Sequence, residues 1–233
     1  MNPLEQAELA VIVEIFRRYP DAFVWIGGSV LRLVNHSPRT SFDIDLAPLA
    51  GSPEVAGLED AIGAALDIVN PVLGRSLRIA GEPETAPEGF VRIRIEEDSR
   101  PAFSVDITRI VGSVRRTTTV LVTGINGSAA VRMPAPSVFL YQKIRSLYSR
   151  RYPKPGDLFD IWFLLESGVD LDEPGRAALE DEFDASDTGE KRRPLRKSGW
   201  IQALERAGVG GLTPETAAAM VDRVETFLGS VVK

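Results

Sequence analysis

Apolar and polar residues follow two different spacings in the first third of the chain. Between Leu4 and Tyr19 apolar side chains recur at helical spacing, which predicts an amphipathic helix. The apolar run from Phe23 to Ile26 stops at a Gly-Gly pair and predicts a short buried strand. The same reasoning predicts a helix over Ser29–Asn35, a strand over Ser41–Pro48 and a helix over Pro53–Val69.

Strand-like segments then continue to about residue 134, and helical segments follow. The predicted strands are Ser76–Ala80, Phe90–Glu96, Phe103–Ile110, Thr118–Thr123 and the short Val131–Met133. The predicted helices are Ser137–Arg150, Asp157–Glu166, Glu173–Phe183, Ser198–Ala207 and Pro214–Val232, with a polar loop over Asp184–Lys197. This order predicts an N-terminal α/β (α+β) domain with a mixed sheet, residues 1–134, and a helical C-terminal domain, residues 135–233.

The composition limits the chemistry of the chain. Its 233 residues are 44% hydrophobic and 26% charged, which is typical of a globular protein, and no apolar run is long enough to cross a membrane. The N-terminus lacks the pattern of a secretory signal, so we expect a cytoplasmic protein without a membrane segment. The absence of cysteine and the single histidine, His36 in a predicted turn, exclude zinc sites built from these residues. Any metal must therefore be held by oxygen, which favours magnesium, manganese or calcium.

The charge is unevenly distributed along the chain. The net charge is −6, yet the segment 107–156 contains nine basic residues and no acidic ones. These are Arg109, Arg115, Arg116, Arg132, Lys143, Arg145, Arg150, Arg151 and Lys154. They either form one surface that attracts a polyanion or scatter over several faces of the fold. A second basic cluster, Lys191–Arg193 with Arg196 and Lys197, lies in the predicted polar loop.

Three aspartates are spaced as ligands of a divalent cation. Asp43 and Asp45 are two apart on a predicted strand, so both carboxylates leave one face, and Phe42, Ile44 and Leu46 should point into the core. Two carboxylates this close repel each other unless they share a cation. The alternation around Asp106 is similar, so that residue becomes a third carboxylate if the two strands are neighbours. An Asp-x-Asp pair alone is a weak signal, because it also occurs in glycosyltransferases and calcium loops.

A Gly-Gly-Ser turn precedes the aspartates. The strand ending at Gly27 and Gly28 lets the backbone approach a phosphate, and the following helix offers unpaired N–H groups. Ser29 either adds a hydroxyl to an anion site or only caps the helix. Because a short helix separates this turn from Asp43, the spacing predicts an anion site beside a metal site.

These motifs together resemble a known family. Gly27–Leu33, followed by Arg39–Leu46, is similar to the Gly-Gly-Ser/Thr and Arg-x-Ser-x-Asp-x-Asp motifs of the AbiEii/AbiGii nucleotidyltransferase toxins, which include MenT-like toxins and belong to the polymerase-β-like superfamily. Pro136–Ile144 resembles the family helix that bears a lysine, and Asp157–Leu165 resembles its Lys-Asp-x-x-Asp helix. Gly156 stands where the family usually has lysine, and Lys154 is the nearest substitute.

The resemblance implies a polymerase-β-like fold and a role for each matching residue. Asp43, Asp45 and Asp106 would bind Mg²⁺ (or Mn²⁺), Gly28, Ser29, Arg39 and Ser41 would bind the nucleotide, and Lys143 would neutralise the triphosphate. Asp157 or Asp160 would position Lys143 or the acceptor, although Asp157 could instead be a helix cap, and Arg39 could instead pair with a carboxylate. The implied reaction transfers a nucleoside monophosphate from an NTP to an acceptor hydroxyl. In this family the acceptor is tRNA, in some members at its 3′ end, and a cognate antitoxin accompanies the toxin.

Three other functions are compatible with the sequence. The same chemistry can act on a small molecule, as in antibiotic modification, or on a protein, and neither needs an extended basic face. A non-enzymatic descendant would bind a nucleotide or a partner protein without turnover. A glycosyltransferase would use the Asp-x-Asp pair to bind a nucleotide sugar.

Overall fold

A computed structural model describes residues 1–49, 54–86, 89–108, 116–149, 154–184, 203–204, 209 and 212–231. Several sequence predictions fall outside these ranges: nearly all of the loop Asp184–Lys197 with its basic cluster, most of the helix Ser198–Ala207, and Arg109, Arg115, Arg150 and Arg151.

The described helices and strands follow the predicted order. The helices are α1 (Pro3–Arg18), α2 (Gly28–Leu33), α3 (Val55–Leu73), α4 (Pro136–Ser149), α5 (Pro155–Glu166), α6 (Glu173–Asp184) and α7 (Pro214–Val231). The strands are β1 (Phe23–Ile26), β2 (Asp43–Pro48), β3 (Leu77–Ile79), β4 (Glu84–Ala86), β5 (Phe90–Glu97), β6 (Arg100–Ile107), β7 (Thr117–Gly124) and β8 (Gly127–Pro134). Strand β4 was not predicted, because its three residues are all exposed and carry no apolar pattern.

Helix α1 is fixed at its start and buried along its middle. The Asn2 side chain accepts a hydrogen bond from the Glu5 backbone N–H, and the Glu5 carboxylate accepts one from the Asn2 N–H. This reciprocal cap, with Pro3 in the first turn, sets where the helix begins. The ten residues Ala7–Phe16 are all buried, so α1 is a core helix of the domain.

The main sheet is mixed. Its strand order is β1-β2-β6-β5-β3, with β4 paired to β5. Strands β2 and β6 are parallel, and the other pairs are antiparallel. The predicted α/β class with a mixed sheet is therefore confirmed.

Strand β2 separates a core face from a polar face. Ile44 and Leu46 are fully buried, as predicted, and pack in the core. The prediction for Phe42 was wrong: the strand begins only at Asp43, and the Phe42 ring is 53% exposed. Alternation holds only within the paired strand, so it gave no valid direction for the residue before it.

The hairpin between β5 and β6 closes through two residues. Glu97 pairs with Arg100, and Asp98 and Ser99 between them both have positive φ, 50° and 62°. Two consecutive positive φ values are typical of a type I′ turn, which matches the twist of the flanking strands. This turn, together with a one-residue register shift between Ile95 and Glu96, fixes which β5 residues face which β6 residues.

The chain forms two compact units. The first comprises Met1–His36 and Ser41–Pro134, and contains all of the strands. The second comprises Ser37–Thr40 and Ala135–Lys233; in it α4 packs on α5, and α5 packs on α7. Among the described residues, no helix is both long and apolar enough to cross a membrane.

Candidate active site

The predicted carboxylates lie on one face of the main sheet in the first unit. Asp45 on β2 lies directly opposite Asp106 on β6, and Asp43 lies opposite Ser104. The Ser104 hydroxyl is 2.9 Å from Asp43 Oδ1 and 2.9 Å from Asp106 Oδ1. The condition set by the sequence, that the two aspartate strands be neighbours, is therefore met.

The turn at Gly27 and Gly28, which we call the glycine turn, contacts the row of three aspartates Asp43, Asp45 and Asp106, which we call the carboxylate row. Gly27 has φ +82°, which favours glycine, and a Cβ atom added there would lie only 2.7 Å from Asp45 Cγ. Only a residue without a side chain leaves room for the Asp45 carboxylate at this position. The start of α2 therefore lies beside the Asp45 carboxylate, a candidate metal ligand.

Helix α2 is anchored from the other side by buried ion pairs. The Arg32 guanidinium bonds to Glu8 and lies 3.3 Å from Glu5 Oε1, both on α1. Burial raises the pKa of Glu8 to about 7, although Arg32 opposes that shift. These contacts hold the helix that follows the glycine turn against the core.

The nucleotide-binding residues predicted in this region differ in exposure. Gly28 and Ser29 are buried at the start of α2, and the Ser29 hydroxyl accepts a 3.0 Å hydrogen bond from Trp25 Nε1. Ser41 is half-buried just before β2. The Ser29 side chain is thus part of the core, so the turn presents backbone rather than the hydroxyl.

Asp106 is held by an arginine that the sequence did not indicate. Arg92 Nε donates a 2.9 Å hydrogen bond to Asp106 Oδ1, and Arg92 Nη2 bonds to Oδ2. This hydrogen bond raises the pKa of Arg92 further above its ordinary value. Asp106 is only 4% exposed, so the guanidinium supplies the charge partner that its burial requires.

The donor set suits a divalent cation, with one adjustment. Asp43 is exposed and Asp45 half-buried, and two carboxylates on one face are the hard ligands that Mg²⁺ prefers. Both oxygens of Asp106, however, accept bonds from Arg92. In the described part of the chain no three acidic or histidine side chains are arranged as metal ligands. The pair Asp43–Asp45 therefore fits a cation, and Asp106 would join it by releasing one bond to Arg92.

The second unit contains its own charged cluster. Lys143 Nζ on α4 lies 3.1 Å from Asp157 Oδ1 and 2.8 Å from Asp160 Oδ2. Arg39 forms a two-pronged pair with Asp160, through Nε at 2.8 Å and Nη2 at 2.9 Å. We call Arg39, Lys143, Asp157 and Asp160 the lysine cluster; it balances two cations against two carboxylates.

Burial and pairing oppose each other in the lysine cluster. Burial lowers the pKa of Lys143, but the Asp160 and Asp157 carboxylates outweigh it, and the net pKa is raised. Burial likewise raises the pKa of Asp160, yet Lys143 and Arg39 bring the net pKa below its ordinary value. Lys143 and Asp160 are therefore both charged at neutral pH.

Arg39 and Lys143 account for two positions flagged in the sequence, Gly156 and Asp157. Gly156, where the related motif has lysine, lies under the guanidinium: a Cβ atom there would be 3.0 Å from Arg39 Nη1. The structure also excludes Asp157 as a helix cap, because α5 begins at Pro155 and its N-cap is Lys154. Asp157 is instead a partner of Lys143.

The described members of the basic segment do not share one role. Lys143 belongs to the lysine cluster, whereas Arg132 on β8 donates a 2.7 Å bond to Asp21. Arg116 and Lys154 are exposed. His36 is exposed in a turn with φ 59°, as the sequence predicted.

Comparison with known proteins assigns this arrangement to a family. The family described as "Nucleotidyl transferase AbiEii toxin, Type IV TA system" matches residues 14–225. The chain belongs to the AbiEii family. As an AbiEii protein it is a nucleotidyltransferase, and membership implies an NTP substrate, usually a divalent metal, and a cognate antitoxin.

Solved structures agree with the AbiEii fold. JHP933 from Helicobacter pylori matches with a TM-score of 0.58 at 14% identity, over 98% of this chain and 94% of that one. A "putative nucleotidyltransferase from H. pylori" matches with a TM-score of 0.59 at 13% identity, over 99% and 96%. Among curated proteins, none matches the chain significantly. At these identities the structural likeness shows the fold alone.

Sequence reasoning missed several residues of the polar face. Arg92 and Arg94 alternate along β5, so the period of two indicated one shared face, but not which strand they would adjoin. The hairpin register places Arg92 opposite Asp106 and Arg94 opposite Ser104. The AbiEii carboxylate row is thus bordered by two arginines.

Proposed function

We propose that this AbiEii protein transfers a nucleoside monophosphate from an NTP to a hydroxyl of tRNA, at its 3′ acceptor end, and does so with Mg²⁺. It would act as the toxin of a toxin–antitoxin or phage-defence system in the cytoplasm. The acceptor hydroxyl oxygen bonds to the α-phosphorus, the bond from that phosphorus to the α–β bridging oxygen breaks, and pyrophosphate leaves. The hydroxyl proton passes to solvent.

One observation carries the proposal: the glycine turn and the carboxylate row meet at Gly27 and Asp45. A triphosphate held by backbone N–H groups of Gly28 and Ser29 would lie next to carboxylates that hold a cation. Asp43 and Asp45 supply the ligands of that cation, with Asp106 as the third. A bound divalent ion would stabilise the negative charge that develops during phosphoryl transfer.

The lysine cluster supplies the remaining role in the proposal. Lys143 would neutralise the triphosphate, while Asp157 and Asp160 keep its ammonium group charged and in place. Arg39, four residues before Asp43 in the chain, would orient a phosphate or the acceptor. Ser41, between them, would contact the nucleotide.

The proposal is tested by incubating the purified protein with total RNA, each radiolabelled NTP and Mg²⁺ or Mn²⁺. Wild type should label tRNA, and Asp43→Ala should reduce labelling by roughly 100-fold or more, because positioned charge makes the largest contribution to this chemistry. Asp67→Ala is the matched control, since Asp67 is an exposed carboxylate on α3 away from the row.

Each part of the proposal has its own contrary result. No labelling of any RNA with any of the four NTPs rules out an RNA acceptor. Labelling of a small molecule or a protein instead assigns a different acceptor to the same carboxylates. Undiminished labelling after chelation of divalent ions contradicts the metal-dependent chemistry.

A further inference from the structure

A cleft adjoins the carboxylate row within the first unit. It has a volume of about 740 Å³, and Asp43 and Ser104 form the edge nearest the carboxylates. Cavities of roughly 300–1,000 Å³ accommodate a small organic ligand. The cleft is therefore large enough for a nucleotide and lies directly beside the proposed reaction centre.

The cleft presents one exposed aromatic ring. Phe42 lines it and precedes Asp43 in the chain. More than half of the ring surface is open to solvent, whereas the other phenylalanine of the cleft, Phe103, is buried. An exposed aromatic side chain beside cationic groups is a common platform on which nucleic acid bases stack.

Two arginines also line the cleft. Arg92 and Arg94 both line it, and their side chains are 35% and 55% exposed. Arg92 is committed to Asp106, while Arg94 is ion-paired with Glu84, whose side chain is itself 46% exposed. An exposed pair of this kind contributes little to stability, so Arg94 can exchange Glu84 for a phosphate at low cost.

The remaining wall is apolar. Ala102, Pro101 and Ile95 line the cleft near the β5–β6 turn. Glu96 is the other acidic residue of the lining besides Asp43, and it is ion-paired with Arg78. A nucleotide in the cleft therefore meets an aromatic face, a cationic border and apolar packing, and its sugar would be closest to Asp43.

We infer that this cleft binds the terminal nucleotide of a single-stranded RNA acceptor, with its base on Phe42 and its 5′ phosphate on Arg94. The assignment rests on the proposed function, because it places the acceptor hydroxyl beside Asp43. The incoming NTP occupies the glycine turn next to Asp45, so the cleft holds the other substrate. Base stacking on Phe42 tolerates any base, whereas Arg94 requires a phosphate.

The test measures binding of a 5′-fluorescein-labelled single-stranded RNA oligonucleotide to the full chain by anisotropy, without NTP. Phe42→Ala should raise the Kd roughly 5- to 150-fold, the range that removal of a stacking residue produces. Arg94→Ala should also raise the Kd and should flatten its dependence on salt. Phe42→Trp keeps a stacking surface and should bind like wild type.

Two matched controls separate the cleft from the general surface. Leu121→Ala removes another exposed apolar side chain, on β7, and Arg223→Ala removes another arginine paired with an exposed carboxylate, Glu166. Neither residue lines the cleft. Both variants should bind the oligonucleotide like wild type.

The outcomes distinguish the cleft assignment from the proposed function. Binding lost in both cleft variants supports the assignment even if no RNA is ever labelled, in which case only the proposed reaction fails. Wild-type binding by both cleft variants, or no RNA binding by wild type, overturns the assignment even if tRNA is labelled. A raised KM for NTP with unchanged RNA binding also overturns it, because the cleft would then hold the incoming nucleotide.

Discussion

Replacing Gly27 with alanine tests the contact between the glycine turn and the carboxylate row. The substitution has two separable effects. A non-glycine residue at φ +82° and ψ −171° costs about 1–3 kcal/mol of stability, because this backbone region is essentially restricted to glycine. The new methyl group would also overlap the Asp45 carboxylate, 2.7 Å from Cγ to Cβ, so that Asp45 must move by an ångström or more. A displacement of about 1 Å at a catalytic group costs roughly 100-fold in rate.

Gly74→Ala is the matched control for Gly27→Ala. Gly74 ends α3 with φ +62°, and nothing lies within 4 Å of an added Cβ. Urea unfolding should show a loss of about 1–2 kcal/mol in Gly74→Ala, whose φ +62° and ψ +38° are left-handed helical, and at least that loss in Gly27→Ala, whose conformation is restricted more strictly to glycine. Nucleotidyl transfer should fall only in Gly27→Ala. Equal activities in the two variants would refute the inference that Gly27 makes room for Asp45.

Three further predictions concern the buried charges. Asp160→Asn should lower the free energy of unfolding, measured with urea, by about 3–5 kcal/mol, because Lys143 and Arg39 lose a shared counter-ion in a buried site. A loss below about 1 kcal/mol would contradict that reasoning. The pKa of Glu8 is raised to about 7 from an ordinary 4.5, so the folded state favours the neutral carboxyl. The contribution of Glu8 protonation to the free energy of unfolding is therefore complete below about pH 4.5 and is lost as the pH rises through 7. The stability of Glu8→Gln relative to wild type should accordingly rise by about 3 kcal/mol between pH 4.5 and 8, and a difference that does not change with pH would argue against the shift. Gly156→Ala should force Arg39 to move by a few tenths of an ångström, which should lower the free energy of unfolding by about 1 kcal/mol. This loss should disappear in an Arg39→Ala background. An equal loss in both backgrounds would show that the two residues do not interact.

The fold of the first unit was predictable where the hydrophobic pattern was strong. Ile44 and Leu46 alternate with Asp43 and Asp45, and this period of two gave the correct face for all four side chains. Phe42 continues the same alternation in the sequence but lies before the paired strand, where pairing no longer sets the direction of a side chain. Strand β4 has one apolar residue, Ala86, which is exposed, so the strand gave no signal.

The partners of the predicted site residues were harder to foresee, because they depend on register and on long-range contacts. Arg92 meets Asp106 because the hairpin turns at Asp98 and Ser99 and its register then shifts by one residue between Ile95 and Glu96; neither turn residue is the glycine that usually marks such a turn. Arg39 and Asp160 are 121 residues apart in the chain. No local pattern predicts a pair at that separation, so the sequence left the role of Arg39 open.

The same separation has a consequence for synthesis. Ser37–Thr40 belongs to the second unit, although it is translated before the larger part of the first, Ser41–Pro134. At about 5–20 residues per second, roughly 6–24 s pass on the ribosome between incorporation of Arg39 and incorporation of Asp160. During that interval the segment leading into Asp43 lacks the carboxylate that later fixes its arginine. A nascent chain therefore completes this part of its structure only after α5 has emerged, when most of the polypeptide has been made.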